Sequence, residues 1–66
     1  MSEQAFCEAL ERAIEVAPVP RGFDVVLWDR HAMTLLGNFE ERQQAEDHRN
    51  AIIDAVISVR RRAIAA

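Results

Sequence analysis

The sequence predicts a single α+β domain over residues 1–66, with two helices and two strands in the order α-β-β-α. Apolar residues recur at helical spacing near both ends of the chain, whereas apolar and polar residues alternate in the middle. A pair of prolines separates the first helical pattern from the first alternating one. Half of the 66 residues are hydrophobic, which is enough for one small core.

The first helix is predicted to begin at a Ser2 cap, because a serine hydroxyl accepts from the free N–H groups of a first turn. We expect it to end near Val16, since Pro18 and Pro20 lack the N–H that a helix needs. Its apolar residues fall on one face and are Phe6, Ala9, Leu10, Ala13, Ile14 and Ala17.

Two alternating segments, residues 23–29 and 33–39, predict the strands of an antiparallel hairpin. Both are rich in β-branched, aromatic and large apolar residues. Gly37 interrupts the apolar row of the second segment, because glycine adds no side chain to a sheet face.

The register of the hairpin is predicted from its large apolar residues. Pairing Leu27 with Leu35 and Phe23 with Phe39 places all four on one face. This pairing makes Arg30, His31 and Ala32 a three-residue loop. A two-residue turn is the alternative, and we disfavour it because neither of its residues suits the positive φ that such turns require.

The second helix is predicted to begin near Phe39 and to continue to about Arg62. Asn38 followed by Glu41 has the spacing of a capping box. We expect both helices to cover one face of the hairpin, so that the architecture is analogous to half of, or a truncated form of, a ferredoxin-like sandwich.

The other face of the hairpin would then be uncovered. Val26, Trp28 and Leu36 are predicted to point away from the helices, and no further segment remains to cover them. A two-stranded sheet is also marginal in water and leaves open edges. The hairpin is therefore expected to associate with a partner protein or with a second copy of the chain.

The charge of the chain favours a basic partner. Eleven acidic residues against eight arginines give a net charge of −3, which opposes nonspecific binding to nucleic acid. Glu8, Glu11 and Glu15 are predicted to form an acidic ridge on the first helix, to which Asp24 and Asp29 add. The alternative is that the ridge is only a solvated face, in which Glu8 pairs with Arg12.

The sequence predicts no enzyme, no metal and no cofactor. Cys7 is the only cysteine, and neither His31 nor His48 has ligands at helical spacing. Two glycines are too few for a phosphate-binding loop. The chain has no segment apolar enough for a membrane span and no basic, apolar leader, so we expect a cytoplasmic protein.

In size, acidity and lack of catalytic residues, the chain resembles the small phage-encoded inhibitors of bacterial defence, such as anti-CRISPR proteins, some of which mimic DNA with rows of carboxylates. The resemblance implies a module that occludes a basic, nucleic-acid-binding surface of a host protein complex. Its arginine and alanine content suits a GC-rich bacterium or its phage. The residues expected to bind the partner are Glu8, Glu11, Glu15, Asp24, Asp29, Val26, Trp28 and Leu36.

Two other functions are compatible with the same sequence. A homodimerising housekeeping domain would join the hairpins of two chains into one sheet, and its acidic ridge would only keep it soluble. A small DNA-binding regulator would use Arg60, Arg61 and Arg62 on phosphates, although three adjacent helical residues point in three directions. Stacking aromatics and a basic face, which nucleic-acid modules usually have, are missing from the pattern.

Overall fold

The computed structural model describes residues 2–65 and is an α+β fold with two helices and a three-stranded antiparallel sheet. The class is as predicted, but the two-stranded hairpin and the αββα order are wrong in detail. A strand that the sequence analysis assigned to the first helix and its linker makes the order αβββα, with sheet order β1-β2-β3. The elements are α1 (Glu3–Ala13), β1 (Ile14–Val19), β2 (Gly22–Trp28), β3 (Met33–Phe39) and α2 (Arg42–Ala65).

Strand β1 follows α1 without a loop. The helix ends at Ala13, where the Ile14 N–H still donates to the Leu10 carbonyl, and not near Val16 as predicted. From Ile14 onwards the core-facing residues follow every second position, as in a strand: Ile14 is buried, and Val16 packs against the same core. Pro18 is compatible with this strand because β1 lies at the edge of the sheet, where every second N–H points away from the neighbouring strand and its loss breaks no ladder bond.

A tight turn at Pro20 and Arg21 joins β1 to β2, and it depends on Gly22. Gly22 has a φ of 107°, which residues with a side chain rarely adopt. A Cβ at this position would lie 2.2 Å from the carbonyl oxygen of Phe39 on the neighbouring strand. Glycine is therefore required both for the turn and for the approach of β3.

The predicted register of β2 and β3 is correct at one end and wrong at the other. Phe23 pairs with Phe39 as expected, but the register shifts between Val25 and Val26. The extra residue lies in β3, so Leu27 lies opposite Thr34 and not opposite Leu35. This is a β-bulge, and it turns the side chains beyond it to the opposite face of the sheet.

The connection between β2 and β3 is the two-residue turn that the sequence analysis disfavoured. The N–H of Asp29 donates to the Ala32 carbonyl at 2.9 Å, which leaves only Arg30 and His31 in the turn. Among residues 2–65, no residue other than glycine has a positive φ. The turn thus forms without the positive φ that a two-residue turn was expected to require.

The core lies between one face of the sheet and both helices. Ile14 and Val25 of the sheet are buried against Ala45 and Ile53 of α2. Leu10 of α1 packs against the same cluster, so both helices cover this face as predicted. The residues that complete the core are Val16, Phe23, Leu27, Leu36, Phe39, Ile52 and Ile57.

Helix α2 begins three residues later than predicted. Asn38 belongs to β3, where its amide donates to the Asp24 carboxylate, and so it does not cap the helix. The side chain of Gln44 instead accepts from the Glu41 N–H at 3.2 Å, which is the reaching-back half of a capping box. The helix also continues to Ala65, beyond the predicted end near Arg62.

Arginines of α2 attach the long helix to α1. The Arg49 guanidinium donates to the carbonyl oxygens of Glu11 and Ile14, both at 2.7 Å, where α1 ends and β1 begins. At the other end of α1, Arg60 lies over the Phe6 ring, with 4.7 Å from its guanidinium carbon to the ring centroid. These contacts set the position of α1, which itself has no fully buried residue.

Candidate protein-binding surface

The face of the sheet opposite the helices carries a cluster of large apolar side chains. Val26 lies at its centre and is only 2% exposed, whereas Trp28, Met33 and Leu35 are 50%, 53% and 58% exposed. Trp28 pairs with Met33 across the strands, and Val26 pairs with Leu35. We call these four residues the open-face patch. Contiguous exposed apolar surface of this kind is typical of an interaction site.

The bulge in β3 decides which leucine belongs to the open-face patch. Leu36, expected on the open face, packs against the core instead, and Leu35, expected in the core, is exposed. Gly37, directly after the two leucines, is the sequence signal of this bulge, because a glycine inside a strand often marks one. A Cβ on Gly37 would lie 2.9 Å from the Phe39 ring, which covers this glycine.

Carboxylates border the open-face patch on two sides. Glu15 of β1 lies opposite Val26, and Asp24 lies two residues before it on the same face. The Asp24 carboxylate accepts from the Asn38 amide at 2.6 Å, which fixes its position. At the far end of β2, the Asp29 carboxylate accepts from the Arg30 N–H in the turn.

The predicted acidic ridge is divided between two elements. Glu8 and Glu11 are exposed on α1, but Glu15 is on β1, because the helix ends before it. Glu8 forms an ion pair with Arg12 at 3.9 Å. Glu11 and Glu15 still meet along the β1 edge, where both line a groove of about 380 Å³. The other charged residues that line this groove are Arg42, Glu46 and Arg49.

The three arginines near the C-terminus of α2 do not form one basic surface. Arg60 stacks on Phe6, and Arg61 forms an ion pair with Glu3, so both turn towards α1. The hydrogen bond and the charge of Glu3 raise the pKa of Arg61 above its ordinary value. Arg62 donates to the Ser58 carbonyl of its own helix at 3.4 Å.

The remaining residues considered from the sequence lie in different parts of the fold. Cys7 is half-buried on α1, His31 is in the β2–β3 turn, and His48 of α2 lies against the Phe39 ring at 5.0 Å between centroids. Within residues 2–65, no three His, Cys, Asp or Glu side chains are grouped closely enough to hold a metal ion. None of the helices in that range is long and apolar enough to cross a membrane.

Comparison with models of protein families, with curated proteins and with solved structures gives no match to this chain. Trp28, Met33 and Leu35 are the exposed large apolar residues of the sheet, and of the four residues in the open-face patch only Val26 and Trp28 were predicted from the sequence.

Proposed function

We propose that the chain is a small acidic protein-binding module that inhibits a larger protein or nucleoprotein complex by covering a basic, nucleic-acid-binding surface on it. The observation that carries the proposal is the open-face patch with Glu15 and Asp24 at its border. An apolar centre with a charged rim is the usual composition of a protein interface. The carboxylates make a basic partner surface the complementary one.

Within this interface the apolar residues and the carboxylates have different roles. Trp28 is the anchor, because a large aromatic that is half exposed before binding can lose most of that exposure in a pocket of the partner. Glu15 and Asp24 select a basic surface and speed the encounter, and they would do so less at high salt. Glu8, which pairs with Arg12, and Glu11 lie on α1 outside the open-face patch.

The test begins with capture of a partner. The tagged chain is incubated with nuclease-treated lysate of a GC-rich bacterial host, and retained proteins are identified by mass spectrometry. The recovered complex is then purified, and displacement of labelled nucleic acid from it by the untagged chain is measured at several salt concentrations. Displacement that weakens as salt rises supports the proposal. A partner that keeps its nucleic acid at a saturating concentration of the chain contradicts it.

Variants of the chain then test whether the partner contacts the open face. Trp28→Ser should weaken displacement about 30-fold or more, as expected for loss of an aromatic hot spot. Its matched control is Val59→Ser, because Val59 is an exposed apolar residue of α2, 59% exposed. Glu15→Gln with Asp24→Asn should flatten the salt dependence, since both changes remove charge and keep polar atoms. Equal effects of Trp28→Ser and Val59→Ser would exclude the open face.

A DNA-binding regulator remains the alternative for the same chain, and the arginines engaged with α1 do not favour it. A mobility-shift assay of the purified chain at low salt is its test. Binding that is reduced by Arg62→Gln would replace occlusion with direct nucleic-acid binding. Absence of a shift at high protein concentration would remove the alternative.

A further inference from the structure

We propose that the first half of β3 is a self-association edge, through which two copies of the chain join their sheets antiparallel about a twofold axis at Thr34. The pairing places Met33 of one copy opposite Leu35 of the other and produces a six-stranded sheet. It does not depend on the partner proposed above, because it uses the edge of the sheet and leaves the open face uncovered.

The two edges of the sheet differ in their protection. The β1 edge carries Pro18 and the charged Glu15, two features that oppose pairing with another strand. The sequence of β3 contains neither proline nor a charged residue. Within β3, residues 33–35 are all exposed, whereas Leu36, Gly37 and Phe39 are half-buried. The unprotected part of the edge is thus the short segment before the bulge.

The backbone N–H and C=O groups of Met33 and Leu35 point away from β2, towards the free edge of the sheet. Hydrogen-bonded and non-hydrogen-bonded pairs alternate along an antiparallel ladder. Because Asp29 and Ala32 form a hydrogen-bonded pair, Thr34 also bonds inwards to β2. Met33 and Leu35 therefore direct their N–H and C=O groups to the free edge, and their side chains lie on the open face.

The bulge ends the available edge and fixes the register. Nε2 of His48 lies 3.3 Å from the Leu36 carbonyl oxygen, so α2 provides a partner for a backbone group of the bulge. Only residues 33–35 remain for pairing, and a twofold axis through such a segment passes through its middle residue, Thr34. An interface about a twofold axis must be self-complementary, and an uncharged strand places no like charges opposite each other.

Oppositely charged side chains flank β3, with Arg30 before it and Glu40 after it, and the Asp29 carboxylate beside Arg30 accepts from the Arg30 N–H. Arg30 and His31 form the turn before the strand, whereas Glu40 and Glu41 follow it. Antiparallel pairing brings the turn of one copy beside the end of β3 in the other, within reach of Glu40. Symmetry places this contact twice in the dimer, and it favours the antiparallel orientation.

The test is sedimentation velocity or light scattering of the purified chain over a wide range of concentration. A contact between two strands is small, so we expect a weak, concentration-dependent monomer–dimer equilibrium. Met33→Pro removes an outward N–H at the first residue of the strand, a position where proline is tolerated, and should abolish the dimer. In the dimer, hydrogen exchange of the Met33 and Leu35 amides should slow as concentration rises.

Charge exchange provides a test that does not depend on a proline substitution. Arg30→Glu and Glu40→Arg should each weaken association about tenfold, because each creates two like-charge contacts, and the double variant should restore it. A wild-type chain that stays monomeric at all concentrations overturns the proposal. A dimer that is lost in Trp28→Ser but kept in Met33→Pro and in both charge variants also overturns it, because the sheets would then stack face to face.

Discussion

Arg49 is predicted to contribute more to stability than its half-buried position suggests. Its guanidinium donates to the carbonyl oxygens of Glu11 and Ile14, both at 2.7 Å. The Glu11 carbonyl is near the C-terminus of α1, where the last carbonyls have no partner within the helix. Replacing Arg49 by methionine keeps an unbranched side chain of similar length and removes both bonds.

The expected cost is about 2 kcal/mol. A hydrogen bond to a charged group contributes ~1.5–3 kcal/mol to stability. Two such bonds would give a larger sum if both carbonyls were sealed from water, but the half-buried Arg49 lets water replace part of each bond. A domain of this size has a total stability of only about 3–5 kcal/mol. Loss of about 2 kcal/mol should lower Tm by roughly 8–16 °C.

The assay is thermal and urea unfolding followed by circular dichroism, with two comparisons. Arg49→Lys keeps the charge but not the forked geometry, and it should lose about half as much as Arg49→Met. Arg12→Met removes an arginine whose side chain is 80% exposed and whose ion pair with Glu8 spans 3.9 Å, and it should cost less than ~0.5 kcal/mol. Equal losses for Arg49→Met and Arg12→Met would show that the two Arg49 hydrogen bonds do not stabilise the fold.

Three further substitutions test the packing. Gly22→Ala should cost at least ~3 kcal/mol and leave much of the chain unfolded by circular dichroism, because its Cβ would meet the Phe39 carbonyl at 2.2 Å; a native-like Tm would contradict the turn geometry. Val25→Ala removes methyl groups from a fully buried site and should cost about 2 kcal/mol in urea unfolding, whereas an unchanged midpoint would argue against the core assignment. Arg61→Met breaks an exposed ion pair with Glu3, so its Tm should stay within a few degrees of the wild type, and a large drop would show that the pair anchors α1.

Local sequence patterns are sufficient to predict the elements that form wherever the neighbouring strands lie. Both helices, the strand β2 and the strand β3 were predicted from apolar periodicity, which is a property of neighbouring residues. The negative charge, the position of Val26 on the face opposite the helices and the exposure of Trp28 also follow from the sequence alone. Predicting these features does not require knowing which strands become neighbours.

Strand β1 and the set of residues on the open face depend instead on contacts between distant parts of the chain. A proline such as Pro18 argues against a strand only if that strand lies in the middle of a sheet. The position of β1 at the edge of the sheet is a property of the whole fold. The bulge in β3 likewise exchanges Leu35 and Leu36 between the two faces, because a register shift of one residue reverses the facing of a strand. Arg49 reaches carbonyls 35 and 38 positions away along the chain, a distance over which local sequence patterns carry no information.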